Sequence, residues 1–140
     1  MTPEQIAIVQ ESFQKVATSA DQVAEIFYQT LFVLDPRLKS LFPSDMQTQG
    51  RKLMQMIEPA VHGLKSPETL IPAAQALGRR HSAYGVEESD YETVGKALMQ
   101  TLEQGLGADF TPQVQEAWLA TYQLLAETMK QAAHSRPQAA

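Results

Sequence analysis

The sequence has no cysteine, and that absence removes several kinds of chemistry at once. Disulfides, thiolate metal sites, cysteine nucleophiles and thioether-attached cofactors are all excluded. There is no surplus of basic charge: 11 Lys and Arg stand against 16 Asp and Glu, for a net charge of −5. A nucleic-acid binder would carry a basic face, so no nucleic-acid partner is expected. No apolar run approaches the roughly 18 residues of a spanning helix, so no membrane partner is expected either. Met1-Thr2-Pro3-Glu4-Gln5 lacks the basic and apolar regions of a signal peptide, which makes a cytoplasmic location the expectation. Glycine-rich phosphate loops and a glycine-flanked nucleophilic serine are missing, which removes nucleotide binding and serine hydrolysis by those motifs. What remains is a chain of 140 residues, 44% apolar and 19% charged, long enough for one well-buried core.

Helix starts recur along it. Thr2-Pro3-Glu4-Gln5 places a capping hydroxyl before a proline and an amide three residues on, and Ile6, Val9, Phe13 and Val16 then share one face. Ser19 restarts the pattern with Val23, Phe27, Leu31 and Leu34. Asp35-Pro36 stops that helix and opens a short one bearing Leu38, Leu41 and Phe42, and Phe42-Pro43-Ser44-Asp45 breaks again. A helix from about Met46 to Leu64 follows. Pro59 inside it removes one backbone bond and predicts a kink or an early end. Ser66-Pro67 and Ile71-Pro72 read as two further starts before a segment closed by Gly85. Ser89-Asp90-Tyr91-Glu92 reads as a capping box, Gly105 and Gly107 as a stop, and Thr111-Pro112 as the start of the last helix. The expected division is one domain over 1–133 and a flexible tail over 134–140. Period-2 alternation is absent, so the fold class is all-α, with seven or eight helices of unequal length.

Three histidines are candidates for chemistry: His62, His81 and His134. A lone histidine is by default a solvated or hydrogen-bonded side chain. No histidine pair stands at i, i+4, so a chelate built from side chains alone is disfavoured. A metal that brings its own ligands needs only one imidazole. Tyr28 reads either as a half-buried aromatic with a wet hydroxyl or as an inward donor. Gln49 shares a face with Leu53 and Met56, and is either the wet start of that stripe or a buried amide that needs a partner.

Three blocks line up in order: Phe27-Tyr28-x-x-Leu31-Phe32-x-x-x-Pro36 with Leu41-Phe42, then Gln49-x-x-Lys52-Leu53, then Leu77-Gly78-Arg79-Arg80-His81-x-x-Tyr84-Gly85-Val86. Tyr91-x-x-Val94-Gly95 and Ala117-Trp118-x-x-x-Tyr122 follow. This order resembles the globin family, and most of all its single-domain bacterial members similar to flavohaemoglobin globin domains and neuroglobin-like proteins.

The resemblance implies a globin fold around a haem pocket, with non-covalent haem b and its iron. It implies that His81 is the proximal metal ligand and that Tyr28, Gln49 and Leu53 form the distal pocket. Phe42, Val86 and Val94 would supply dry walls, Tyr91 would lie on the proximal side, and Lys52, Arg79 and Arg80 are candidates for the haem propionates. The implied partners are dioxygen and other diatomic gases, with an external reductase as electron donor because the chain ends at Ala140 without a reductase domain. The implied function is reversible dioxygen binding, with nitric oxide dioxygenation or a haem-free helical signalling role as alternatives. The flavohaemoglobin type pairs its proximal Tyr with a late-helix Glu, whereas Lys130 to His134 here contains no carboxylate. Strong peroxidase-like chemistry is therefore not expected.

Overall fold

A computed structural model describes residues 1–42 and 45–134, so Pro43 and Ser44 of the expected break, and 135–140 of the expected tail, lie outside the described residues. Among the described residues there are six α-helices: α1 (Pro3–Ala17), α2 (Ala20–Leu34), α3 (Met46–His62), α4 (Pro67–Ala83), α5 (Glu88–Leu106) and α6 (Pro112–His134). Short 3-10 segments at Pro36–Leu41, Gly63–Lys65 and Gly107–Asp109 make the corners. The all-α expectation therefore stands.

Local chemistry explains most boundaries. The Thr2 hydroxyl accepts from the Gln5 amide at 3.1 Å, and the Gln5 side chain accepts from the Thr2 amide at 3.0 Å. The Asp45 carboxylate accepts from the Thr48 amide at 3.0 Å and its hydroxyl at 2.8 Å, which starts α3 and holds that carboxyl below its ordinary range.

Four sequence expectations need correction. Of the kink or early end expected at Pro59, the early end does not occur, and α3 continues to His62. Both Pro59 and Gln55 are exposed, so the carbonyl that loses its amide partner can face water. Ile71-Pro72 is not a start: Pro72 lies inside α4, again on the exposed side. The capping box of α5 sits two residues earlier than expected, on Glu87 and Asp90. Gly85, at φ +95°, ends α4 so abruptly that extended Glu87 is already in place to begin α5. Finally, α5 passes through Gly105 and stops at Gly107.

The helices pack in a definite order. Helix α2 lies against α3 and α5, while α6 carries α4 and α1. Helices α3 and α4 are joined by a tight corner yet make at most slight direct contact, so they splay apart. The main core, including Val9, Phe13, Leu102 and Trp118, sits at the closed end. There the Trp118 indole donates to the Ser12 hydroxyl at 2.8 Å, and Ser12 donates onward to the Ile8 carbonyl at 2.7 Å. Ser12→Ala leaves that buried indole without its partner and is expected to cost roughly 1–3 kcal/mol, measured by urea unfolding. A loss below about 0.5 kcal/mol would show that the bond contributes little.

Candidate functional site

Two smaller apolar clusters flank the splayed helices. One joins Phe27, Tyr28, Leu31, Leu38 and Ala97, with Phe42, Leu53 and Val94 packed against them. The other joins Ala74, Tyr91, Ala126 and Met129, with Leu77, Val86 and Tyr122 against them. Helix α5 serves both, through Val94 and Ala97 on one side and Tyr91 on the other. The corner after α4 closes toward the first cluster, since a Cβ on Gly85 would stand 3.8 Å from a Leu41 methyl. Leu53, Leu77, Val86, Val94 and Phe42 are all only half-buried. Apolar side chains left half-exposed beside two splayed helices form a surface suited to a flat apolar group.

His81 stands in the last turn of α4, half-buried, with Nδ1 at 2.9 Å from the Leu77 carbonyl oxygen. A carbonyl only accepts, so Nδ1 must carry the proton, and Nε2 keeps its lone pair. Burial holds the imidazole below its ordinary ionisation range, the Leu77 bond opposes that, and the Arg80 charge adds to it. The ring is thus neutral, oriented and able to bind a metal through Nε2. The other two histidines differ. His62 is exposed, 3.8 Å from Glu58 one turn earlier, and His134 is exposed, 2.7 Å from Glu88. Among the described residues no three His, Cys, Asp or Glu come together as a metal cluster. One neutral imidazole beside an apolar surface fits a metal that arrives in its own planar chelate, and not a bare ion.

Tyr28 is turned inward and only 4% exposed, which decides between its two sequence readings. Its ring lies 5.2 Å from Phe27, 5.2 Å from Phe42 and 5.9 Å from Phe32. The hydroxyl donates to the backbone carbonyl of Gln49 at 3.3 Å, and burial pushes its ionisation up to about 12. It is therefore a neutral donor at every physiological pH. Gln49 is half-buried, and Lys52, Arg79 and Arg80 are exposed on α3 and α4. Tyr91 is buried, its carbonyl accepts from the Tyr122 hydroxyl at 2.6 Å, and the Lys130 ammonium stands 5.9 Å from its ring centre. That ammonium is paired in turn with the Glu127 carboxylate at 3.1 Å.

Two glycines set helix separations here: Gly50, which the sequence reading did not single out, and Gly78, which entered it only as a member of the Leu77–Val86 block. A Cβ on Gly50 would come 3.0 Å from the Ala24 Cβ, and one on Gly78 would come 2.7 Å from the Met129 carbonyl carbon. Their only sequence signal is an isolated glycine inside a helical pattern.

Six α-helices and one oriented, neutral imidazole define, among the described residues, an all-α protein whose donor chemistry fits a planar metal chelate. Sequence comparison states the family: the globin profile matches residues 25–129, and the chain belongs to the globin family. It is 28% identical over 130 residues to a flavohemoprotein of Vibrio cholerae, covering 91% of this chain and 33% of that protein. It is 26% identical over 136 residues to neuroglobin of Danio rerio, covering 87% of this chain and 86% of that one. The chain thus spans about a third of the flavohemoprotein's length. The crystal structure of a hexacoordinated heme protein from an anhydrobiotic tardigrade superposes with a TM-score of 0.87 at 17% identity, over 96% of both chains. Among the described residues no helix is long and apolar enough to cross a membrane.

Proposed function

We propose that this globin binds haem b through His81 and reversibly holds dioxygen, with Tyr28 and Gln49 as the donors that retain the gas. The carrying observation is the His81–Leu77 bond, which fixes a neutral imidazole with a free Nε2 beside an apolar surface. When bound, haem would supply the iron chemistry of reversible gas binding, and the free Nε2 of His81 would hold it.

The chain's own residues do the rest. His81 anchors and orients. Leu53, Phe42, Val86 and Val94 exclude water. Tyr28 is a buried neutral donor, and Gln49, at the start of α3, is neither a base nor a strong metal ligand. Lys52, Arg79 and Arg80 are exposed cations on the two splayed helices and are suited to the haem carboxylates. Lys130 stands over the Tyr91 ring and is itself paired with Glu127 at 3.1 Å. The stretch from Lys130 to His134 offers no carboxylate to strengthen electron donation through His81, which favours gas binding over peroxide chemistry.

Adding haem to the purified protein and recording the visible spectrum tests this reading. The natural chain should develop an intense Soret band, His81→Ala should lose or clearly alter it, and His62→Ala should not. No band with the natural chain would sink the proposal and support a haem-free helical role. Loss of the band in His62→Ala alone would overturn the ligand assignment.

A further inference from the structure

The Tyr28 hydroxyl has a partner that is easy to leave. Its bond to the Gln49 carbonyl is long, at 3.3 Å. That carbonyl, in the first turn of α3, is already placed to accept from the Leu53 amide within the helix. The tyrosine ring is held among Phe27, Phe32 and Phe42, so the phenol cannot swing away and only its O–H direction is free. The separation between phenol and carbonyl is therefore set by how closely α3 approaches α2. A close point of that approach lies one residue from Gln49, where a Cβ on Gly50 would meet the Ala24 Cβ at 3.0 Å. Ala24 is 2% exposed and Gly50 is buried, so neither helix can relax by moving a side chain into water.

We infer that Gly50 is a positioning residue: its contact with Ala24 sets how Tyr28 divides its proton between the Gln49 carbonyl and a gas held in the pocket. The inference rests on the proposed dioxygen-binding reading. A methyl at position 50 pushes the helices apart by a few tenths of an ångström, which carries a 3.3 Å bond past hydrogen-bond range. The freed hydroxyl then donates fully to the gas. Gly50→Ala thus acts in the opposite direction to ordinary packing damage, which would loosen the pocket and speed release.

The first arm of the test uses the haem-free protein, folded as judged by circular dichroism and labelled with carbon-13 at the tyrosine ring carbon that bears oxygen. The Tyr28 resonance, identified by its loss in Tyr28→Phe, should shift in Gly50→Ala. The second arm uses stopped-flow gas release from the haem-loaded protein. Gly50→Ala should slow dioxygen release about fivefold, the equivalent of one net hydrogen bond, and change carbon monoxide release far less. In the Tyr28→Phe background the same substitution should leave dioxygen release unchanged. Should Gly50→Ala not fold, Ala24→Gly relieves the same contact and should shift the resonance in the opposite direction. An unshifted Tyr28 signal, or an equal effect on dioxygen release with and without Tyr28, overturns the inference. Failure to take up haem would overturn the functional reading while the resonance still reports on the crossing.

Discussion

Tyr28→Phe is expected to speed dioxygen release about 10- to 100-fold, the equivalent of losing a hydrogen bond of roughly 1.5–3 kcal/mol to a partly charged ligand. The substitution is nearly isosteric. The ring is fixed by Phe27, Phe32 and Phe42, and only the hydroxyl leaves. What the resting protein loses is a 3.3 Å bond to a carbonyl inside a helix, so stability should change little. Dioxygen gains negative character on binding, whereas carbon monoxide carries less charge, so release of carbon monoxide should respond far less. The entry path is unaltered, which places the effect in the off-rate. Stopped-flow release rates for both gases decide the matter. Equal changes for the two, or none for dioxygen, would mean that Gln49 and the apolar walls retain the gas without Tyr28.

Gly78→Ala should be the most damaging single-methyl addition in α4. The new Cβ would meet the carbonyl carbon of Met129 at 2.7 Å and its Cα at 2.5 Å, with the carbonyl oxygen closer still. These are backbone atoms of α6, the helix on which α4 chiefly rests, so no side chain can turn aside. The strain must be relieved by moving α4 outward, at an expected cost of roughly 3 kcal/mol. Leu77 and His81 flank that position, so the displacement also moves the imidazole and the carbonyl that orients it. Lower stability in urea and faster haem loss to a scavenging protein should appear together. A variant within about 0.5 kcal/mol of the natural chain would show that the two helices slide apart freely.

The contrast between residues 28 and 78 shows what could be read in advance. The Leu77 partner of His81 was legible once the resemblance had drawn attention to that histidine, because a carbonyl one turn back is available to a histidine in any helix. Phe27 and Leu31 on α2 were legible from the same kind of local spacing, whereas Leu34, which that spacing also placed on the stripe, is 40% exposed. The first turn of α5 was misjudged because two overlapping frames, Ser89–Glu92 and Glu87–Asp90, offer similar capping chemistry. The choice depended on how sharply Gly85 turned the chain. Pro59 and Pro72 looked like breaks because proline removes a backbone donor. Their tolerance follows from exposure, which is a property of the packed molecule.

By itself the sequence determined an all-α fold, and the order of its motif blocks carried the resemblance to the globin family. Helical spacing of apolar residues depends only on residue identity and short-range geometry. The tertiary structure alone decided the direction of Tyr28, the closeness of α2 to α3 at Gly50 and of α4 to α6 at Gly78, and the placing of Lys130 over Tyr91. Each of these joins residues at least 26 positions apart, or turns a side chain between two faces that periodicity leaves equivalent. Packing selects among such arrangements because a buried donor must find an acceptor and two backbones can approach only where no Cβ intervenes.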